Sequence, residues 1–413
     1  MKILILSQYF PPEMGAPQAR LYELAQRIKD AGHQVTVLTA MPNYPTGKVF
    51  DGYRGRARMT EDMEGLKVVR TWIAPSKSAN PLKRALAFLS FTLSSVLLGV
   101  WGIGKQDILL FESPPLFSVP SAVLLKPLVR ARAVMYVADV WPDLLLRTGV
   151  ATKGLGVKMM FALEKLGYRR SDVVALTTPG ARAQVQERFP AIRTTVLSNG
   201  ADTTFFRPDL RSQEVRDRFG VGPDDFMVGY IGLHGLFQGL DAVISAAERL
   251  ADRPRIKIVM IGDGVEKTRL VTLAETKGLT NIQFHEPMPR TEIPPILASC
   301  DVSVVPLVTK LPGTMPSKVY EALASGVPVA VVKHCEGEAL VNQYNLGRTF
   351  EPLDGEELAA ALADLADDPA EHQRIRANCR EIAPRFDRAV LAQRTLDVLA
   401  AIHEDRQLPE LPW

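Results

Sequence analysis

Lys318 and Glu321 stand three residues apart in Pro316-Ser317-Lys318-Val319-Tyr320-Glu321, after a loop broken by Pro312 and before the apolar run Val327 to Val332. The pair suits a phosphorylated sugar ligand. An ammonium neutralises phosphate charge, and a carboxylate about one helical turn further on accepts from sugar or ribose hydroxyls. Pro316 and Ser317 read as a helix start, and Gly326 and Pro328 as its stop, so the spacing predicts a helix whose first turn or so carries both side chains. Its leading N–H groups offer phosphate further donors. An alternative stays open, because a glutamate near a helix start also complements the helix dipole.

Other carboxylates fall at similar places. Asp139 follows the apolar run Ala133 to Val137, and Glu112 and Ser113 follow Ile108 to Phe111. Each could orient an acceptor hydroxyl or a transferred sugar, and Asp139 could equally cap a helix. Glu336 and Glu338 follow Val329 to Val332 and read as a solvated loop or as neighbours of a ligand.

What must position these groups is a repeated strand–helix scheme. Ile3 to Leu6 reads as a strand, Ser7 to Ala16 as a loop, Pro17 to Asp30 as a helix and Val35 to Thr39 as the next strand. After Pro208 the order recurs: strand Met227 to Ile231, loop Gly232 to Gly239, helix Leu240 to Ala251, strand Ile256 to Ile261, then Gly262-Asp263-Gly264. The architecture expected is α/β, with two doubly wound, Rossmann-like parallel-sheet domains facing across a cleft. They would occupy residues 1–205 and 206–384, with a hinge near 200–210 and a final amphipathic helix in 385–413 able to pack back on the first domain. In open α/β sheets ligands bind at the carboxyl ends of strands, where the glycine loops and the acidic residues lie.

Composition narrows the chemistry. The chain has 413 residues, 46% hydrophobic and 23% charged, with a net charge of +3, as expected of a soluble two-domain enzyme with no nucleic-acid partner. Cys300, Cys335 and Cys379 form no metal-ligand spacing, and the six histidines are scattered. No paired acidic motif asks for a metal or other cofactor. The leading apolar run is too short for a secretory signal, and the isolated cysteines fit a cytoplasmic location. Neither GxGxxG nor GxxxxGK followed by Ser or Thr is present, which disfavours dinucleotide-dependent dehydrogenases and P-loop kinases.

Nearly the whole chain resembles the retaining GT-B fold glycosyltransferases of the family 4 type, particularly bacterial enzymes of surface-polysaccharide synthesis. PPEMGAPQARLYELAQRIKDAGHQVTVLT, MPNYPTG, DVWPD, VLSNGADTTFF, VGYIGLHGLFQGLD, IGDG and PSKVYEALASGVPV occur in family order. The resemblance implies a nucleotide diphosphate sugar donor, UDP-linked, on the C-terminal domain and a glycan or lipid-linked glycan acceptor on the N-terminal domain. It assigns donor contacts to Gly235, Gln238, Gly262, Gly313, Thr314, Met315, Pro316, Ser317, Lys318 and Glu321, with Gly15 and Arg20 from the first domain; the catalytic candidates, from their strand-exit positions, are Asp139 and Glu112, and Ala138 stands where relatives often carry a histidine. Two departures stand out. Gly313 occupies the place of the first glutamate of the family's Glu-x7-Glu motif, and Gln238 that of a phosphate-binding lysine. A sugar-nucleotide epimerase and a non-catalytic nucleotide-sugar scaffold are the competing readings.

One segment points to a membrane. Residues 48–84 carry Lys48, Arg54, Arg56, Arg58, Lys67, Arg70, Lys77, Lys83 and Arg84 against Asp51, Glu61, Asp62 and Glu64, a local net charge of +5. The uncharged stretch Ala85 to Gly104 follows. Strands expected on both sides of it belong to one sheet, so it reads as a helix that does not span, and a core helix packed under that sheet is the alternative to one that also meets lipid. Together they predict a peripheral protein on the inner face of an anionic membrane, with Phe88, Phe91 or Trp101 exposed to lipid.

Overall fold

In the computed structural model, residues 1–410 are described except Lys77, Ala79, Asn80 and Val150. The chain forms two compact units. One comprises Met1–Leu197 and the chain from Ala392 onward, and the other comprises Ser198–Leu391. The chain therefore changes unit twice, the second time inside its last long helix.

The first unit contains, in order, β1 (Lys2–Leu6), α1 (Ala16–Asp30), β2 (Gln34–Ala40), β3 (Arg58–Met63), β4 (Leu66–Thr71), α2 (Pro81–Leu97), β5 (Ile108–Ser113), α3 (Ser118–Val129), β6 (Arg132–Val137), α4 (Asp143–Arg147), α5 (Leu155–Arg170), β7 (Val173–Leu176), α6 (Pro179–Arg188) and β8 (Thr194–Val196). The sheet order is β3-β4-β2-β1-β5-β6-β7-β8. Alternation along β1 shows how it is buried: Leu4 and Leu6 join one core, Ile3 and Ile5 the other. Residues of α2, α3 and α6 pack in the first core, those of α1 in the second.

The sheet is not wholly parallel as the sequence suggests, because β3 runs antiparallel to β4. Glu64 and Gly65 between them have φ of 52° and 83°, the positive values of a tight hairpin turn. The charged residues of Arg58–Met63 concealed this edge strand from an apolar-run criterion. The hairpin also withdraws Arg70 from the basic segment. Its guanidinium is fully buried, 2.5 Å from the Glu61 carboxylate, and donates to the carbonyls of Pro11 and Ala40. Lys77 lies outside the described residues.

The second unit contains α7 (Gln213–Asp217), β9 (Phe226–Ile231), α8 (Asp241–Arg249), β10 (Ile256–Ile261), α9 (Lys267–Thr276), β11 (Ile282–His285), α10 (Ile293–Ser299), β12 (Val302–Val305), α11 (Ser317–Ala324), β13 (Val329–Val332), α12 (Glu336–Tyr344), β14 (Gly347–Phe350), α13 (Gly355–Asp367) and α14 (Pro369–Ile382). Its sheet order is β11-β10-β9-β12-β13-β14, every pairing parallel. Strand order reverses between β9 and β12, and in the first unit between β1 and β5. These switch points are where such sheets open a crevice for ligands. Helix α15 (Arg388–His403) follows, and its Leu396, Val398, Leu399 and Ile402 join the core of the first unit that also holds Leu21, Ala25 and Ile28 of α1.

At the edge of the second sheet opposite its ligand edge, Asp301 ties β12 to β9. It accepts from the Met227 N–H at 2.7 Å, from Arg211 at 2.7 Å and from Arg216 at 2.8 Å. Arg376 and Arg211 donate to the Cys300 carbonyl beside it. Burial alone would raise the Asp301 carboxyl, but Arg211, Arg216 and the Met227 N–H outweigh it and hold its pKa below the usual range. The cluster's contribution is therefore present above the unfolded carboxyl pKa and is lost as pH falls through the lower folded value. Asp301→Ala should cost about 3–5 kcal/mol in chemical denaturation, because it strands Arg216 in the interior. A loss below about 1 kcal/mol would mean that the cluster is better solvated than its burial indicates.

Candidate functional site

The switch point of the second sheet is built from loops that run backbone against backbone. Gly232 donates to the Ile261 carbonyl at 2.8 Å and His234 to the Asp263 carbonyl at 2.8 Å, which carries the β9–β10 pairing past the strand ends. A β-carbon on Gly262, at φ 144°, would stand 1.9 Å from the Gly232 oxygen, and one on Gly264, at φ 157°, 2.2 Å from the His234 oxygen. Only glycine permits this approach. The loop after β12 joins them: Val308 donates to the Phe237 carbonyl at 3.2 Å, and Glu336 donates through its N–H to the Thr314 carbonyl at 2.9 Å.

Lys318 projects from α11 into this arrangement. Its Cε and Nζ lie 2.6 and 2.9 Å from where a β-carbon on Gly232 would be, and its ammonium sits 5.4 Å from the centroid of the Tyr230 ring. Among the described residues it forms no salt bridge, and burial lowers its pKa, with Glu321 opposing. Such a cation is costly unless an anion arrives. Tyr230 donates to the Leu233 carbonyl at 2.6 Å, and His234, fully buried, stacks on the Tyr230 ring at 5.7 Å. Neither ring nitrogen of His234 has a hydrogen-bond partner among the described residues, and burial holds the imidazole neutral by lowering its pKa. His234 and Tyr230 are the site residues that the sequence under-read, since a lone histidine and a strand-end tyrosine carry no spacing signal.

Glu321 lies in the second turn of α11 rather than the first, and α11 has no acidic residue in its first turn. The helix-dipole reading therefore fails for lack of proximity. Its carboxylate makes no hydrogen bond among the described residues. Burial raises its pKa, against the pull of Lys318, Arg388 and Arg290. Gly313 has φ 80°, a conformation that side-chain-bearing residues rarely adopt, so the local backbone suits glycine and not the glutamate of the family motif. Gln238 lies within 3.5 Å of the Tyr230 hydroxyl, and Gly235 accepts from the Gln238 N–H at 3.1 Å. Thr314, Met315 and Pro316 lead into α11, and Ser317 begins it. Glu336 and Glu338 open α12 instead of a solvated loop, and Glu338 accepts from the His334 N–H at 2.6 Å.

The first unit gathers a different set at its own switch point. Arg20 on α1 forms an ion pair with Glu112 on β5 and lies 4.5 Å from the Tyr136 ring centroid. Burial raises the pKa of Asp139, with Arg20 opposing. Asp139 caps no helix, because α4 begins at Asp143 with Pro142 ahead of it. Glu112 and Ser113 belong to β5 itself. Gly15, in extended conformation, precedes α1. Glu13 pins this loop by accepting from the N–H groups of Asn43 and Tyr44 at 2.7 and 2.8 Å and of Phe10 at 3.1 Å. Beside it is a cavity of about 330 Å³ lined by residues that include Gln8, Tyr9, Asn43, Tyr44, Ser76 and Phe88, with no charged side chain among its described lining. Among the described residues no group of three or more His, Cys, Asp or Glu is placed to hold a metal ion.

Comparison with known proteins agrees with this layout. Residues 15–200 match the family described as "Glycosyl transferase 4-like domain" and residues 212–382 that described as "Glycosyl transferases group 1". WcaI of Escherichia coli K12, a glycosyl transferase named for colanic acid biosynthesis, is 31% identical over 79% of this chain and 82% of its own length. The chain belongs to the group 1 glycosyltransferases, with a family 4-like N-terminal domain. Solved structures of the same GT-B fold include sucrose-phosphate synthase of Thermosynechococcus elongatus, with TM-score 0.76 and 16% identity over 98% of this chain and 99% of that one. HepE of Anabaena, solved with UDP-glucose, has TM-score 0.70 and 19% identity over 97% and 100%. The family places this glycosyltransferase apart from the epimerase reading.

Gly262→Ala should disrupt the pairing of the two glycine loops and speed amide hydrogen exchange at Gly232. Gly278→Ala, at φ 64° with nothing within 4 Å, isolates the conformational cost alone. Unchanged protection at Gly232 in Gly262→Ala would show that the loops are not held against each other.

Proposed function

We propose that this glycosyltransferase moves a sugar from a UDP-linked donor held by its C-terminal unit to a glycan or lipid-linked glycan acceptor held by its N-terminal unit, with retention at the anomeric carbon. The observation that carries the donor assignment is the partly buried ammonium of Lys318, without a salt bridge among the described residues, against the Gly232 backbone, a place fitted to a diphosphate. Glu321, one turn deeper and without a side-chain hydrogen bond among the described residues, accepts from the ribose hydroxyls. HepE, of the same fold, is solved with UDP and with UDP-glucose, which supports the uridine nucleotide.

In the reaction the bond from the anomeric carbon to the phosphate oxygen breaks and the bond to the acceptor oxygen forms on the same face. The acceptor proton passes to the departing phosphate, giving UDP. Lys318 and the loop N–H groups stabilise the charge that develops on the diphosphate. Asp139 and Glu112 orient the acceptor, Arg20 holding Glu112 in place. The cavity with Tyr9, Tyr44 and Phe88, uncharged in its described lining, suits a neutral sugar, whose hydroxyls Asn43 and Gln8 can meet while its apolar face rests on an aromatic ring. The enzyme acts as a peripheral protein on the inner face of the cytoplasmic membrane, in surface-polysaccharide synthesis. No helix among the described residues is long and apolar enough to cross a membrane, and the relation to WcaI supports the pathway.

UDP titration tests the donor site. Lys318→Ala should weaken binding by about 1.5–3 kcal/mol and Glu321→Gln by about 1–3 kcal/mol, while Gln238→Ala costs less than either. A larger loss in Gln238→Ala than in Lys318→Ala would place the diphosphate elsewhere. Incubation with UDP-sugars and a glycan-lipid acceptor should release UDP and give a product whose anomeric configuration, read by NMR, matches the donor. Absence of UDP release with every UDP-sugar, despite UDP binding, would favour a scaffold.

A further inference from the structure

Helix α2 presents two faces of opposite character to protein and to solvent. Phe91, Ser94 and Ser95 point into the unit, and Phe91 is 1% exposed in the core. Leu86, Leu89, Leu93 and Leu97, at helical intervals of three and four, are 59%, 47%, 62% and 65% exposed. These positions fall on one narrow stripe of the helix. Four leucines so aligned and uncovered are not the scattered surface residues of an ordinary fold. Of the three aromatics expected to face lipid, Phe91 is internal and Phe88 stacks on Phe117 at 5.0 Å, which leaves Trp101.

Trp101 extends the stripe. Its indole N–H donates to the Leu97 carbonyl at 2.9 Å, which folds the ring over the end of α2, and it is 69% exposed. Positive charge is built onto this same end. Arg58 of β3 donates to the Trp101 carbonyl at 2.7 Å, and Lys67 of β4 to the Gly102 carbonyl at 2.6 Å. Arg54, Arg56 and Lys105 are exposed nearby in the chain, and Lys83 marks the opposite end of the helix. Helix α3 packs beside α2 on the same core, with Leu124 and Leu128 exposed on its outer side. An apolar stripe ended by an indole and bordered by basic side chains is complementary to an anionic bilayer: leucines for the acyl region, indole for the interface, and cations for the phosphates.

We propose that the outer face of α2, from Leu86 to Trp101, inserts into the interfacial region of an anionic phospholipid bilayer, with Arg58, Lys67 and their neighbours on the headgroups. The inference rests on the peripheral-membrane reading and adds to it a defined, apolar mode of attachment. The same helix contributes Ala87 and Phe88 to the uncharged cavity. Lipid insertion through α2 would therefore hold that cavity next to the headgroup layer, where the sugar of a lipid-linked acceptor resides.

The test uses the full chain with vesicles of phosphatidylcholine alone and of phosphatidylcholine with phosphatidylglycerol. The wild-type protein should sediment with the anionic vesicles and stay substantially bound in 0.5 M salt, since screening leaves the leucine contribution intact. Its tryptophan emission should shift to the blue on binding, and Trp101→Phe should abolish most of that shift. Leu93→Glu with Leu97→Glu replaces exposed side chains, so circular dichroism and UDP affinity should be unchanged while vesicle partitioning falls at least tenfold. Partitioning unaffected by those substitutions, or fully released by salt, would overturn the insertion and leave an electrostatic peripheral attachment standing. No binding to either vesicle would overturn both. A dimer in sedimentation equilibrium that Leu93→Glu dissociates, without vesicle binding, would assign the stripe to a second copy of the chain and overturn the proposal.

Discussion

The C-terminal unit is organised around a cation, Lys318, that has no salt bridge among the described residues, although the Glu321 carboxylate favours its charge. A partly buried ammonium without a salt bridge destabilises the empty protein, so the surroundings of Lys318 must compensate elsewhere and must not yield. They do so through backbone. The glycine loops after β9 and β10 are bonded to each other, the loop after β12 is bonded to them, and the start of α12 holds Thr314. At the far edge of the same sheet the Asp301 cluster clamps β9 to β12. Rigid support of this kind lets a site keep an unfavourable charge poised for its ligand.

The two switch points differ in a way that follows from charge. In the N-terminal unit the cation at the switch point, Arg20, is already answered by Glu112 and by the face of Tyr136. The adjoining cavity is uncharged in its described lining. One fold thus offers an electrostatic vacancy at one sheet and a neutral, aromatic recess at the other. A charged diphosphate donor and an uncharged sugar acceptor are the ligands proposed for those two environments.

Much of this was legible in sequence because strands buried on both faces are written as continuous apolar runs. Ile256–Ile261 and the neighbouring strands of the second sheet stood out for that reason, as did the glycine loops and the turn residues around Lys318. Arg58–Met63 did not, since an edge strand can alternate charged residues and still pair. Arg70 was misjudged because charge marks a residue as exposed unless its partner is visible, and its partners, Glu61 and the Pro11 carbonyl, come together only in the fold. Phe91 was misassigned because an uncharged run hides helical phase: the exposed stripe appears only when the leucines are placed at their angles. His234 falls on the glycine loop Gly232 to Gly239 in the sequence, but its contact with Tyr230 could not be read there, as it depends on a loop path set by glycines. The departure at Gly313 is visible in the sequence as a missing side chain, while the positive φ that suits glycine there belongs to the backbone.

The proposed donor site depends on the ammonium of Lys318 lacking a salt bridge until a diphosphate arrives. Its pKa, followed by NMR of the isotopically labelled side chain in the free protein and with UDP bound, tests this directly. Free Lys318 should titrate below an ordinary lysine, because burial disfavours its charged form, and UDP should raise that pKa clearly. An ordinary value in the free protein that UDP leaves unchanged would contradict the account.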